Sequence, residues 1–116
     1  GLTVQDADLE GLEGELYERI KNEQKFYTRD SLEARMAKPI AKAAQTGLPL
    51  YCGEWGAYPT INRESLLNWY RDMRFILDKN GIAWANWDYK GGFGIIDDSI
   101  DNPHDDLIGI LVGDTE

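Results

Sequence analysis

Leu48-Pro49-Leu50-Tyr51-Cys52-Gly53-Glu54-Trp55-Gly56, then the run from Arg63 to Lys79, then Ile82-Ala83-Trp84-Ala85-Asn86-Trp87 is the stretch that decides the fold. Leu48 to Gly53 is short, apolar and bounded by turn residues, as a strand buried on both faces is. In the middle run Leu66, Trp69, Tyr70, Met73, Ile76 and Leu77 recur at three- and four-residue steps. That spacing makes one apolar stripe on a helix, and Asn80-Gly81 supplies its stop. Ile82 to Trp87 is a second buried strand. Strand, helix and strand with short connections form a βαβ unit with parallel strands, which makes the fold α/β.

Outward from this unit the signals weaken. The segment 1–30 mixes acidic residues with three glycines and has one short amphipathic stretch at Leu16, Tyr17 and Ile20, so it reads as a long loop with one helix. Asp30 and Glu33 have the spacing of an N-cap and a third-position carboxylate, which predicts a helix from about Ser31 to Gln45. Pro39 inside that span removes a backbone donor and predicts a kink or restart near Lys38. Gly47 ends the helix. At the other end, Asn102-Pro103 reads as an N-cap and first-turn pair for a last helix packed through Leu107, Ile108, Ile110 and Leu111. The whole of 1–116 is read as one unit, with 31–113 carrying the βα elements.

Composition limits the function classes. With 116 residues, 42% of them hydrophobic and 28% charged, the chain has the make-up of a soluble globular domain. Its apolar runs are far shorter than the roughly 20 residues that span a bilayer, and Gly1 opens no signal peptide, so a targeting segment of a secreted protein would lie outside the chain. A formal charge of −9 repels nucleic acid phosphates but costs a neutral ligand such as a polysaccharide nothing. Cys52 and His104 each stand alone, so no intrachain disulfide and no cysteine- or histidine-built metal site is expected. Asp97, Asp98, Asp101, Asp105 and Asp106 lack the spacing of a calcium loop. Asp105 and Asp106 are better placed to face a helix dipole, and neither metal nor cofactor is expected.

Glu54 stands where the first apolar run stops, so its carboxylate emerges at the carboxyl end of a parallel strand, where barrel enzymes place catalytic groups. Strict alternation puts Leu50, Cys52 and Glu54 on one side and Tyr51, Gly53 and Trp55 on the other. In the second strand Ala83, Ala85 and Trp87 are the inward residues, while Ile82 and Trp84 pack outward on helices. Small residues below and a tryptophan at the rim suit a barrel that opens into a site above. Cys52 reads as a small core residue beneath Glu54, and Trp69 and Trp84 as core.

The stretch Leu48 to Gly56, a helix of the right length, and Gly81-Ile82-Ala83-Trp84-Ala85-Asn86-Trp87-Asp88-Tyr89-Lys90-Gly91-Gly92-Phe93-Gly94 together resemble the seventh and eighth strands of glycoside hydrolase family 5, the cellulase-like retaining β-glycosidases. The resemblance spans about residues 31–113. It implies the C-terminal portion of a (β/α)₈ TIM barrel, with Glu54 as nucleophile and Trp87 as aromatic floor under the sugar to be cleaved. A carboxylate suits the first role because it forms a glycosyl ester that water later breaks. Lys90 is placed to hydrogen-bond sugar hydroxyls, or is a solvated loop residue. Tyr58 lines the leaving-group side, or packs on its loop.

What is missing bounds the expectation. A retaining glycosidase needs a second carboxyl group about 5 to 5.5 Å from the first, which the family carries after an asparagine on strand four. No segment here is such a strand, and Glu23 after Asn22 follows no buried run. The strand-six histidine and tyrosine pair is also absent, and a whole barrel takes about 250 residues. The chain is therefore expected to be a fragment, inactive alone, that pairs with a complementary N-terminal portion of the barrel or with a second copy. The resemblance implies endo-β-1,4-glucanase-like hydrolysis of a β-glucan by a secreted or periplasmic enzyme. The alternatives are an inert barrel piece with an assembly or sugar-binding role, and an exo-acting β-1,3-glucanase of the same family.

Overall fold

The computed structural model describes residues 9–21, 28–97 and 102–113. Its elements are α1 (Gly14–Lys21), α2 (Arg29–Arg35), α3 (Ala37–Thr46), β1 (Tyr51–Trp55), α4 (Arg63–Lys79), β2 (Ala83–Asn86), β3 (Ile96–Asp97), β4 (Asn102–Pro103) and α5 (Asp105–Val112). β1 and β2 pair in parallel across α4, and β3 pairs antiparallel with β4. The chain is thus α/β.

α4 is the organising element and has the bounds that its apolar stripe predicts. The Asn62 side chain accepts from the Ser65 N–H at 3.1 Å and satisfies a free first-turn donor. At the other end Gly81 takes φ 63°, a left-handed conformation that glycine adopts without strain. Leu66, Tyr70, Ile76 and Leu77 of this helix are fully buried. Trp55, Leu66, Tyr70, Leu77, Ile82, Leu107 and Leu111 form one core cluster that joins the sheet to α4 and α5. At about 1.5–3 kcal/mol for each large apolar side chain removed from water, this cluster outweighs the exposed ion pairs, which contribute about 0–1 kcal/mol each.

Several local expectations shift. α2 begins at Arg29 rather than Ser31, because Thr28 and Ser31 form a reciprocal capping box and Asp30 is a first-turn acid. The break falls at Met36, between α2 and α3, rather than at Lys38. Pro39 then sits in the first turn of α3, where its missing donor costs nothing. The first strand runs Tyr51–Trp55, not Leu48–Gly53, and Leu48 is 66% exposed. Asn102 and Pro103 form β4 instead of capping α5, whose N-cap is His104. Before α2, α1 is the one α-helix among the described residues and Leu9 is buried; Asn22, Glu23, Asp98 and Asp101 lie outside the described residues.

Surface links fasten α4 to its neighbours, among them the pair of Arg29 with Asp72 at 2.7 Å. Lys79 Nζ and Asn80 Nδ2 donate to the Glu33 carboxylate at 2.9 and 3.1 Å, tying α2 to the end of α4. Arg63 pairs with Asp106 and ties the start of α4 to the first turn of α5. The hydrogen bonds from Lys79 and Asn80 hold the Glu33 carboxyl below its ordinary value, and the bond from Arg63 does the same for Asp106. A depressed carboxyl pKa stabilises the fold above the unfolded value, and that contribution is lost as pH falls through the folded one. Glu33→Gln is therefore expected to lower the urea midpoint at neutral pH, with the gap to the parent closing through the acid carboxylate range. An equal gap at all pH values would contradict this assignment.

Candidate functional site

The site is built where β1 and β2 end. Tyr51 pairs with Ala83 and Cys52 with Trp84, but Trp55 pairs with Asn86, so three steps of β1 oppose two of β2. This irregularity resets the alternation. Leu50, Cys52, Trp84 and Trp55 all pack on the helix-side core, and Ile82 is buried in it. Strict alternation would have sent Glu54 to the same side as Cys52. Instead Trp55 takes the helix side and Glu54, its extended neighbour, is exposed on the opposite one. The expected grouping of Leu50, Cys52 and Glu54 on one face, with Trp55 on the other, is corrected accordingly. Cys52 is half-buried and its thiol lies 3.7 Å from the Glu54 carbonyl oxygen.

Alternation along β2 sends Ala83, Ala85 and then Trp87 to the face that Glu54 joins. Trp87 is 51% exposed, and its N–H donates to the Trp55 carbonyl at 2.8 Å. The two strand ends also touch at Gly56. A Cβ there would overlap the Trp87 carbonyl oxygen and stand 3.1 Å from its carbon. Only glycine lets the loop after Glu54 pass so close to Trp87.

The loops above the strands meet as well. Residues 88–96 fold on themselves through backbone bonds from Asp88 N to Phe93 O at 3.3 Å, Ile95 N to Asp88 O at 3.1 Å and Ile96 N to Tyr89 O at 3.2 Å. Tyr58, from the loop after β1, stacks on Phe93 with ring centroids 4.0 Å apart and remains 55% exposed. Lys90 is exposed on this second loop, where its backbone forms a bridge with Ile96. The structure therefore brings Glu54 and Trp87 to neighbouring strand ends, packs Tyr58 against the loop that carries Lys90, and leaves all four exposed.

Residues 14–92 match the model of the cellulases of glycosyl hydrolase family 5. The chain belongs to that family. Among similar proteins, Endoglucanase 3 of Fibrobacter succinogenes is 33% identical over 79 residues, covering 67% of this chain. Cellodextrinase A of Ruminococcus flavefaciens is 30% identical over 66 residues, covering 57% of it. The chain spans 12% and 20% of the lengths of these two relatives. Thermotoga maritima Cel5A, solved in complex with cellobiose, superposes with a TM-score of 0.69 or below: its cellobiose complex gives 0.67 at 27% identity, over 77% of this chain and 30% of that one. The same enzyme has been solved with mannotriose.

Three residues of the site are not legible as such in the sequence. Gly56, Tyr70 and Asn86 look like a loop glycine, a core aromatic and a strand residue, and their roles depend on contacts across the β1–α4–β2 unit. The one signal was Asn86, a polar residue inside the otherwise apolar run Ile82 to Trp87.

Proposed function

We propose that this chain is the C-terminal portion of a family 5 (β/α)₈ barrel, with β1 and β2 as its seventh and eighth strands, and that it carries the nucleophile half of a retaining β-glucanase site. The observation that carries the reading is the irregularity in β1. It turns Glu54 toward the face and strand end where Trp87 also emerges, the end at which barrels place their reacting groups.

In this reading the sugar to be cleaved stacks on Trp87, and the Glu54 carboxylate attacks its anomeric carbon. A second carboxylic acid, supplied by the N-terminal portion of the barrel, gives its proton to the leaving oxygen. A glycosyl ester on Glu54 results, which water cleaves with the same second group now acting as base. Two inversions retain the β configuration. Lys90 and Tyr58 stand on the loops that flank the sugar and contact its hydroxyls and leaving-group side.

Because the acid/base comes from elsewhere, the chain alone is inactive, and the exposed strand face with Tyr51 and Ala83 is covered by the complementary portion. β-1,4-linked glucan is the substrate class favoured by the names of the relatives, with β-mannan next, since Cel5A is solved with both kinds of oligosaccharide. Work on such polymers places the enzyme outside the cytoplasm, secreted or periplasmic. The test is a 2-deoxy-2-fluoro-cellobioside with an activated leaving group, applied to the assembled enzyme and followed by peptide mass analysis. The expected result is a single fluoroglycosyl adduct on the peptide carrying Glu54. A label on another carboxylate, or turnover with no label at all, would sink this assignment and favour an inert barrel piece or a different nucleophile.

A further inference from the structure

We infer that Tyr70 and Asn86 are positioning residues that hold the irregular end of β1 and thereby aim Glu54. The proposal rests on the reading of Glu54 as nucleophile and extends it to how that group is held. The Trp55 carbonyl accepts two bonds, from the Trp87 N–H at 2.8 Å and from Asn86 Nδ2 at 2.8 Å. Because a carbonyl only accepts, the Asn86 amide is fixed with its nitrogen toward β1. The same Nδ2 also reaches the Tyr70 hydroxyl at 3.4 Å, and that hydroxyl accepts from the Ala57 N–H at 3.3 Å.

The backbone is thus gripped at Trp55 and at Ala57, on the two sides of Gly56 and immediately after Glu54. At Trp55 the Asn86 amide adds a side-chain bond to the ladder bond just past the irregularity between Cys52 and Trp55, and the hold on Ala57 lies beyond the end of the ladder. Tyr70 itself is enclosed by packing. It is fully buried on α4, with its ring 5.2 Å from that of Trp55 and 5.2 Å from that of Trp69. A rigid helix therefore holds one hydroxyl against the loop that leaves the nucleophile, and β2 holds one amide against the peptide that follows it. Reacting atoms displaced by about 1 Å can lose about 10²-fold in rate, so small slack here is read in catalysis rather than in folding.

Tyr70→Phe removes only the oxygen and keeps the ring packing. In the assembled enzyme it is expected to lower kcat on an aryl cellobioside about 10-fold or more, with KM within about 2-fold, because sugar contacts are untouched. The fraction of enzyme that the fluoro-cellobioside eventually labels stays at the parental level while the rate of labelling falls with kcat. Asn86→Asp, which keeps the shape but replaces the donor with a carboxylate facing the Trp55 carbonyl, gives the same pattern if Tyr70→Phe does not accumulate. An unchanged kcat, or a fall only in step with the labelled fraction, would overturn the proposal and leave both residues as ordinary core. Glu54→Gln, run alongside, separates the two readings. Turnover that survives it overturns both, whereas turnover lost in Glu54→Gln but parental in Tyr70→Phe overturns the positioning role alone.

Discussion

Glu54→Gln is expected to reduce kcat/KM on an activated cellobioside by about 10³-fold or more in the assembled enzyme, with little change in stability. The side chain is exposed, and no hydrogen bond or ion pair of its carboxylate is seen among the described residues, so an isosteric amide leaves the fold undisturbed. What the amide cannot do is form the glycosyl ester, because its oxygen is a far weaker nucleophile than a carboxylate and bears no charge to oppose the oxocarbenium-like transition state. Glu54→Ala adds a second readout. Azide can enter the space left by the carboxylate and attack the anomeric carbon from the same side as Glu54 would, displacing an activated leaving group in one inversion. The expected product is the α-glycosyl azide from a β-glycoside. A β-azide would instead place Glu54 in the acid/base role, and no rescue together with unchanged Glu54→Gln kinetics would remove it from the reaction.

The reason such a prediction can be attached to one glutamate lies partly in the sequence and partly outside it. The helix from Arg63 to Lys79 is legible in the sequence because its stripe is long and Asn80-Gly81 supplies its stop, while the Asn62 cap emerges from the structure. The parallel pairing on either side of it follows from two short apolar runs and a connection that a helix must fill. The capping chemistry around residue 30 was misplaced by two residues because Thr28 and Ser31 form as good a box as Asp30 and Glu33, and Glu33 was needed by Lys79 and Asn80 in the fold. No local pattern contains that competition. Asn102-Pro103 misled for a similar reason: Ile96 and Asp97 supply a strand partner that the dipeptide cannot announce.

The candidate site was legible as residue types at strand ends and illegible as geometry. Alternation gave the two faces of β2 correctly, since Ile82 and Trp84 do pack on the helices. It failed on β1 because a register irregularity is a property of a strand pair, and period-two reasoning assumes that there is none. The failure falls beside the residue proposed as nucleophile: the irregular strand lets Trp55 anchor the core while its neighbour Glu54 is exposed on the opposite face. The same logic explains why Tyr70 was read as one more member of an apolar stripe. Its ring belongs to the core and only its oxygen reaches the loop after Glu54.

Gly56→Ala tests that geometry from the other direction and is expected to have the second largest effect. The added Cβ overlaps the carbonyl oxygen of Trp87, a backbone atom that cannot rotate out of the way as a side chain could. Relief requires the ends of β1 and β2 to separate, which lengthens the bond from the Trp87 N–H to the Trp55 carbonyl and slackens the grip of Asn86 on the same oxygen. Overpacking of this kind costs about 1–3 kcal/mol, and the lost bond to a part-buried carbonyl about 1 kcal/mol more. The expected outcome is a clear fall in the urea midpoint together with a loss of kcat on the cellobioside larger than that of Tyr70→Phe, since both strand ends move. Gly92→Ala is the internal control, because a Cβ there makes only an ordinary contact with the Tyr58 ring at 3.6 Å, and it should leave the midpoint unchanged. Parental stability and rate in Gly56→Ala would mean that the strand ends are not held as close as this fold draws them. The mechanism by which Glu54 is aimed would then have to come from the rest of the barrel, not from the β1–α4–β2 unit.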